Sequence, residues 1–299
     1  MINVTKGTEP IYLINQNADK NGEKERIIKF IENEKKTWED LKKVFSFSVY
    51  SNDSVKRQLK TDFHSKCAFC EGIFTQNSYG EVEHWRPKKG VTGNSKHKGY
   101  YWLASDWNNL LWSCRVCNST KYKGNHFPLK DINKTCYDSK GKLANEEPLL
   151  LNPCDPKVSI ENHIEFLHNG IIQGKTIEGD TSIKIYGLKR PDLQAERYKH
   201  AIELERSFNQ IKVAFQDLIF YLECERQSSL QSFGLNIKQN IKKKKKLIIE
   251  LINIINERLS IKREFVGMNQ QLVRHHVNAL AKNKVLYKIL KSRINLSLL

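Results

Sequence analysis

"NNLLWSCRVCNSTK", residues 108 to 121, carries the second of two Cys-x-x-Cys pairs; the first, Cys67-Ala68-Phe69-Cys70, stands 43 residues upstream of it. Each pair puts two thiolates on one tight turn, so Cys67, Cys70, Cys114 and Cys117 together close a tetrahedral four-thiolate zinc site with no position left open for substrate. The interval is longer than a simple zinc ribbon needs. The zinc is therefore expected to staple the base of an insertion that holds something else. A redox pair, or four unrelated buried thiols, is the alternative reading of the same spacing. Cys136, Cys154 and Cys224 have no comparable partner and read as ordinary thiols.

The rest of the composition agrees with a reducing compartment and an anionic partner. The stretch "MINVTKGTEPIYLINQNADK" lacks the apolar core of a signal peptide, and no run nears the ~18 apolar residues of a membrane span, so a cytoplasmic protein is expected. There, paired cysteines point to metal before disulfide. With 299 residues, 39% of them apolar, the chain can bury a substantial core. Its net charge of +17 favours a polyanion such as nucleic acid.

Three regions follow from the patterning. Residues 1–62 read as a helical lead-in, with "EKERIIKFIENEKKTWEDLKKVF" and "NDSVKRQLKTDFHSK" as helical segments and Asn52, Asp53 or Ser54 as cap candidates. Residues 63–190 are rich in proline, glycine and short apolar runs, and read as a loop-rich unit with short strands; "EPLLLNPCDP" reads as a buried strand, and residues 158–188 as a few more. Residues 191–299 have no proline after Pro191 and read as at least three long antiparallel helices. Leu204, Phe208, Ile211, Phe215, Leu218 and Leu222 form one apolar stripe; Ile248, Leu251, Ile252, Ile255 and Leu259 form another. Residues 231 to 299 hold 15 basic and 3 acidic residues, so this last quarter supplies most of the surplus charge.

Between and just beyond the knuckles lie the residues suited to chemistry: Glu81, Glu83 and His84 in "EVEHWRPKKG", Asn109-Leu110 in "NNLLWSC", Asn118 in "CRVCN", and His126 in "KGNHFPL". Taken together, "CAFC", "EVEHWRPK" and "NNLLWSCRVCNSTK" resemble the HNH endonucleases, whose ββα-metal finger is often tied by such a zinc. The longer series "CAFCE", "VEHWRPK", "YYWLASDWNNLLWSCRVCN", "KGNHFPL", "EPLLLNPCDP" and "IYGLKRPDLQAER", over roughly residues 60 to 200, is similar to the HNH nuclease subunits of Septu antiphage systems, which also accompany some retrons. The usual Leu-Asn-Arg of that last string is Leu188-Lys189-Arg190 here.

The resemblance implies an α+β protein, a zinc-stapled ββα-metal finger embedded in a mostly helical chain. It implies phosphodiester hydrolysis, on DNA foremost, with RNA such as tRNA as the alternative substrate. It assigns Glu83 and Asn118 to a catalytic Mg²⁺ or Mn²⁺, with His126 as a further candidate ligand, His84 as the general base and Asn109 as the group that orients it. It also implies an ABC/SMC-like ATPase partner, PtuA, in bacterial antiviral defence. Glu83 departs from the more usual Asp, and Asn118 from the His of the family's name. Arg86, Lys88, Lys89, Lys121 and Lys123 are candidate phosphate contacts, the alternative being a solvated basic rim. Trp85, Trp102, Trp107 and Trp112 read as core filling, and His64 and His97 as exposed or capping. Lys242 to Lys246 read as a solvated run or a nucleic-acid track, and the 204–222 stripe as bundle core or a docking helix. Two rivals stand beside this reading: a zinc-stabilised adaptor that binds nucleic acid without cutting it, and a stand-alone restriction-type nuclease.

Overall fold

The computed structural model describes residues 1–33, 45–74, 80–227 and 236–295. Part of the first expected helical segment lies outside these. What is described of it is a helix at Glu23–Ile28 and a π-helical turn at Lys29–Asn33. Two compact units emerge: Met1–Glu165 with Ile172–Leu193, and Phe166–Ile171 with Gln194–Leu299.

In the first unit, helices α1 (Ile11–Ala18), α2 (Glu23–Ile28) and α3 (Asp53–Asp62) precede the cysteines. Among the three cap candidates, Asn52 fills the role, its side chain accepting the Ser54 N–H at 2.9 Å. Strands β1 (Glu81–His84) and β2 (Leu110–Ser113) pair antiparallel, with Glu81 opposite Ser113 and His84 opposite Leu110. The short helix α4 (Arg115–Asn118) follows at once, giving a strand–strand–helix order. Trp85, Trp102, Trp107 and Trp112 are all buried and fill the small core.

Beyond it the loops carry their own hydrogen bonds. "EPLLLNPCDP" forms no strand: Pro148, Pro153 and Pro156 remove ladder donors, and the Leu151 N–H goes to the Ser182 hydroxyl at 2.8 Å. Leu150 and Leu151 are nonetheless buried, as expected of their apolar run. Helix α5 (Ile160–His163) and strands β3 (Ile164–Phe166) and β4 (Ile172–Gly174) come next, and then Ile177–Ile185 forms a helix, α6, where strands were expected. Thr176 caps it, taking the Gly179 N–H on its hydroxyl, and Glu178 and Asp180 lie in its first turn.

The helical part comprises α7 (Pro191–Arg226), α8 (Ile237–Arg258), α9 (Val266–Ala279) and α10 (Lys284–Arg293). Lys244 pairs with Asp217 and Arg258 with Glu203, so the two contacts are fourteen residues apart on each helix and run in opposite senses. That register makes α7 and α8 antiparallel. Leu204, Phe208, Ile211 and Phe215 are buried within this unit, as are Ile248, Leu251, Ile252, Ile255 and Leu259. The stripe from Leu204 to Leu218 is thus bundle core, and Leu222 at its end is half-buried. The fold is mixed and mostly helical.

Candidate functional site: a four-thiolate centre beside a Glu-His strand end

The sulfurs of Cys67, Cys70, Cys114 and Cys117 lie within 4.8 Å of one another, and all four residues are buried. Backbone bonds fix this geometry. The Ala68 N–H reaches the Trp112 carbonyl at 2.8 Å, tying the first knuckle to β2, and the Cys117 N–H meets the Cys114 sulfur at 3.5 Å. Burial raises the Cys67 thiol, neighbouring thiols raise Cys117, and those same neighbours hold Cys70 and Cys114 low. Four sulfurs this close and this buried suit a tetrahedral Zn²⁺, whose double charge lets every thiol ionise. Arg190, the last residue before α7, adds a cation: its Nη1 donates to the Cys117 sulfur at 3.5 Å and to the Gly187 carbonyl at 3.2 Å. Burial alone would lower the Arg190 guanidinium, but the Cys117 and Cys70 thiolates outweigh it and the net shift is upward.

On the far end of β1 sit Glu83 and His84, each only 4% exposed. The Glu83 carboxylate lies 3.2 Å from the ammonium of Lys123, a lysine with no exposed side-chain surface. Burial works against both charges, raising the Glu83 carboxyl and lowering the Lys123 ammonium, and each partner resists the other's shift. His84 presents Nε2 to the Ala104 carbonyl at 2.9 Å and Nδ1 to the Lys88 ammonium at 3.2 Å. Burial, then Lys88, holds its imidazole well below the ordinary histidine range, so the ring is neutral. The Tyr50 ring packs edge-on against His84 at 4.5 Å.

Asn109 touches the backbone on both sides of His84 and leaves the ring alone. Its Oδ1 accepts the Arg86 N–H at 2.7 Å, while Nδ2 donates to the carbonyls of Arg86 at 3.0 Å and Leu103 at 3.1 Å. The carbonyl on His84 belongs to Ala104, next to Leu103, so Asn109 braces the segment that orients the imidazole. Asn118 gives its Nδ2 to Glu81 at 2.8 Å, which puts it on Glu81 and off Glu83. Glu81 and Glu83 are two apart on the strand and share its face. Sequence reasoning did not assign Glu81 a role; its i, i+2 relation to Glu83 was the available signal. His126 is half-buried in the loop after Lys123, its N–H on the Lys123 carbonyl at 2.8 Å.

The five cations named from the sequence fall into different settings. Arg86 binds the buried Glu146 carboxylate through Nε at 3.1 Å and Nη2 at 2.9 Å, with Tyr100 and the Cys136 N–H on the other oxygen. Lys123 is inside. Lys88 is half-buried over the Tyr50 ring at 4.4 Å, Lys89 is exposed over Phe47, and Lys121 is exposed. His97 is buried, not exposed, and its Nδ1 accepts the Gly99 N–H at 2.9 Å.

Fold and site together define a mixed, mostly helical protein organised around a buried four-cysteine centre fit to hold zinc. Over 238 residues, 77% of each chain, it is 40% identical to the Septu protein PtuB of Bacillus mycoides (strain KBAB4). It is 32% identical to the Septu protein PtuB of Bacillus thuringiensis over 146 residues, 48% of this chain and 45% of that one. It also matches the Septu protein PtuA of B. mycoides (strain KBAB4), at 24% identity over 241 residues, 77% of this chain but 32% of that longer one. No model of a known protein family matches, and neither does any solved structure. The chain belongs to the Septu PtuB family, and its role is in a Septu antiphage defence system. Among the described residues no helix is long and apolar enough to cross a membrane.

Proposed function

We propose that the chain is a metal-dependent HNH endonuclease, the effector of a Septu complex, hydrolysing phosphodiester bonds in DNA or in RNA such as tRNA. The observation that carries this reading is the adjacency of a buried carboxylate and a neutral, doubly held imidazole, Glu83 and His84, at the end of β1 in a strand–strand–helix unit closed by four cysteines. A phosphodiester needs a base for the attacking water and charge neutralisation on the phosphate. His84, kept neutral by its buried setting, takes the water proton. Asn109 holds the backbone that aims it.

Glu83 and Asn118, with Glu81 alongside and His126 as a further candidate, offer the donors for a catalytic Mg²⁺ or Mn²⁺. Carboxylate and amide oxygens suit a hard divalent ion, and Glu83 Oε1 is buried without an aligned hydrogen bond, only the Lys123 ammonium beside it. When bound, such an ion stabilises the charge that develops on the phosphate and the leaving 3′ oxygen. Lys89 and Lys121, exposed near the strand end and the helix, are placed to meet backbone phosphates. So are the exposed Lys242, Lys243 and Lys245 on α8 in the second unit.

The partner is an ATPase of the PtuA type acting in the cytoplasm. Support comes from the similarity between this chain and a third of a longer protein named PtuA, and from the Septu name that it shares with the PtuB relatives. The test is cleavage of plasmid, single-stranded DNA and tRNA by wild type and His84→Ala, each alone and with the co-purified partner, zinc content being checked first. Loss of cleavage in His84→Ala with zinc and folding intact supports the reading. Tight binding with no cleavage in any pairing would support a non-catalytic adaptor instead, and full activity of the isolated chain a stand-alone nuclease.

A further inference from the structure

The hydrogen bonds of His84 fix its tautomer, and the tautomer exposes a difficulty. A carbonyl only accepts, so the contact with Ala104 requires Nε2 to carry the proton. In the neutral ring Nδ1 is then the sole lone pair, and the Lys88 ammonium donates into it at 3.2 Å. The one atom able to accept a proton from water is occupied. Tyr50 closes the arrangement, with its ring 4.5 Å from the imidazole and 4.4 Å beneath the Lys88 ammonium. The Tyr50 turn is itself pinned, because the buried Glu23 carboxylate accepts the N–H groups of Ser48 at 2.6 Å and Val49 at 3.2 Å. The Lys88 main chain is closely packed from the other side, for a Cβ on Gly99 would stand 2.7 Å from the Lys88 carbonyl.

We propose that Lys88 is a catalytic residue which caps the Nδ1 atom of His84 in the resting protein and is drawn off it by a substrate phosphate, so that the base is exposed only when substrate is bound. The proposal rests on the nuclease reading. A phosphate oxygen carries a full charge and outcompetes a neutral imidazole for an ammonium. The long lysine stem lets the head move while the backbone stays. Departure is also required by the chemistry. Once water gives its proton to Nδ1 the ring is an imidazolium, and an ammonium 3.2 Å away would oppose it. In the productive order Lys88 moves to the phosphate and water takes its place on Nδ1. The proton then passes to Nδ1 as the oxygen bonds to phosphorus, the bond from phosphorus to the 3′ oxygen breaks, and that oxygen is protonated by solvent. Lys88 thereby serves twice, as phosphate contact and as guard.

The test is the ¹⁵N resonance of His84 Nδ1 in full-length, histidine-labelled protein, assigned by its absence in His84→Ala, with no divalent metal added. A short DNA duplex or tRNA is the probe, and its binding is followed by fluorescence anisotropy. Two results are expected: Lys88→Met shifts the resonance of the free protein, and the bound probe moves wild type toward the Lys88→Met position while leaving Lys88→Met unchanged. With metal restored, Lys88→Met should lower kcat/KM at least about tenfold and reduce the salt slope of binding by about one. A resonance unaffected by Lys88→Met would overturn the cap, and a wild-type resonance unmoved by bound probe would overturn its release. Failure of both nucleic acids to bind, or cleavage surviving in His84→Ala, would sink the nuclease reading, and release with it. The free-protein comparison reports on the cap in either case.

Discussion

Asn109 spends its whole amide on main chain, and Arg86, whose N–H and carbonyl it holds, lies 23 residues before it. Replacing it with alanine strips the half-buried Arg86 N–H and carbonyl of their side-chain partner, and leaves the Leu103 carbonyl with the Asp106 N–H alone. Asn109→Ala should cost about 3 kcal/mol in urea unfolding, alongside any loss of activity. Arg190 is the second such residue, acting on the thiolates. Arg190→Gln keeps a donor but removes the charge, and should speed zinc loss to a chromogenic chelator several-fold, with Arg190→Lys intermediate. The cysteines themselves were legible from spacing, because both members of each pair lie on one turn. The partners of Glu83, Asn109 and Asn118 were not. Lys123, Arg86 and Glu81 reach them only through folding, and nothing local in the sequence marks a lysine as buried or an asparagine as a backbone clamp.

Helices are where the sequence spoke most clearly and also misled. The four-three spacing from Leu204 onward predicts α7 because the buried stripe needs that period, while the paired register of α7 and α8 shows only in their ion pairs, Lys244 with Asp217 and Arg258 with Glu203. Residues 177–185 went the other way. Their β-branched residues suggested strands, yet the Thr176 cap and the acidic first turn favour helix, and burial of Ile183 completes it. The Thr176 hydroxyl also meets His163 Nδ1 at 2.8 Å, so Thr176→Ala should destabilise by about 1–2 kcal/mol, read from the denaturation midpoint. On α9, His276 stacks on Phe208 at 4.7 Å, and burial lowers its imidazole to about 4. Its folded value is below the unfolded one, so its stabilising contribution is complete above pH ~6.5 and is lost as the pH falls toward 4. The acid-induced loss of helix should be shallower in His276→Phe than in wild type, as followed by circular dichroism across that range.

Taken as an assembly of two units, the protein carries its four-cysteine centre in one and much of its basic surplus in the other. Removing zinc with a strong chelator should abolish the near-ultraviolet signal of the buried Trp85, Trp102, Trp107 and Trp112 in the first unit, while far-ultraviolet helicity from α7 to α10 is largely kept. A single cooperative loss of both signals would contradict that division. The charge balance was readable from composition, as was the helical character of the last hundred residues. How the chain divides was not: residues 166–171 belong with the helices although they lie within the loop-rich stretch, an exchange that only packing could decide.

The separation of the knuckles has a consequence for the chain as it is made. Forty-three residues separate Cys70 from Cys114, so the first pair leaves the ribosome ahead of the second by an interval on the order of a few seconds at bacterial rates of synthesis. Through that time the first pair is a two-coordinate chelate, open to copper, to oxidants and to exchange with other thiols. Four-coordinate closure begins only when β2 has emerged to carry the second pair. Zinc supply and thiol redox state during translation should therefore affect how much nascent chain closes the four-cysteine site, an effect that pulse-labelling with and without a zinc chelator in the medium would show.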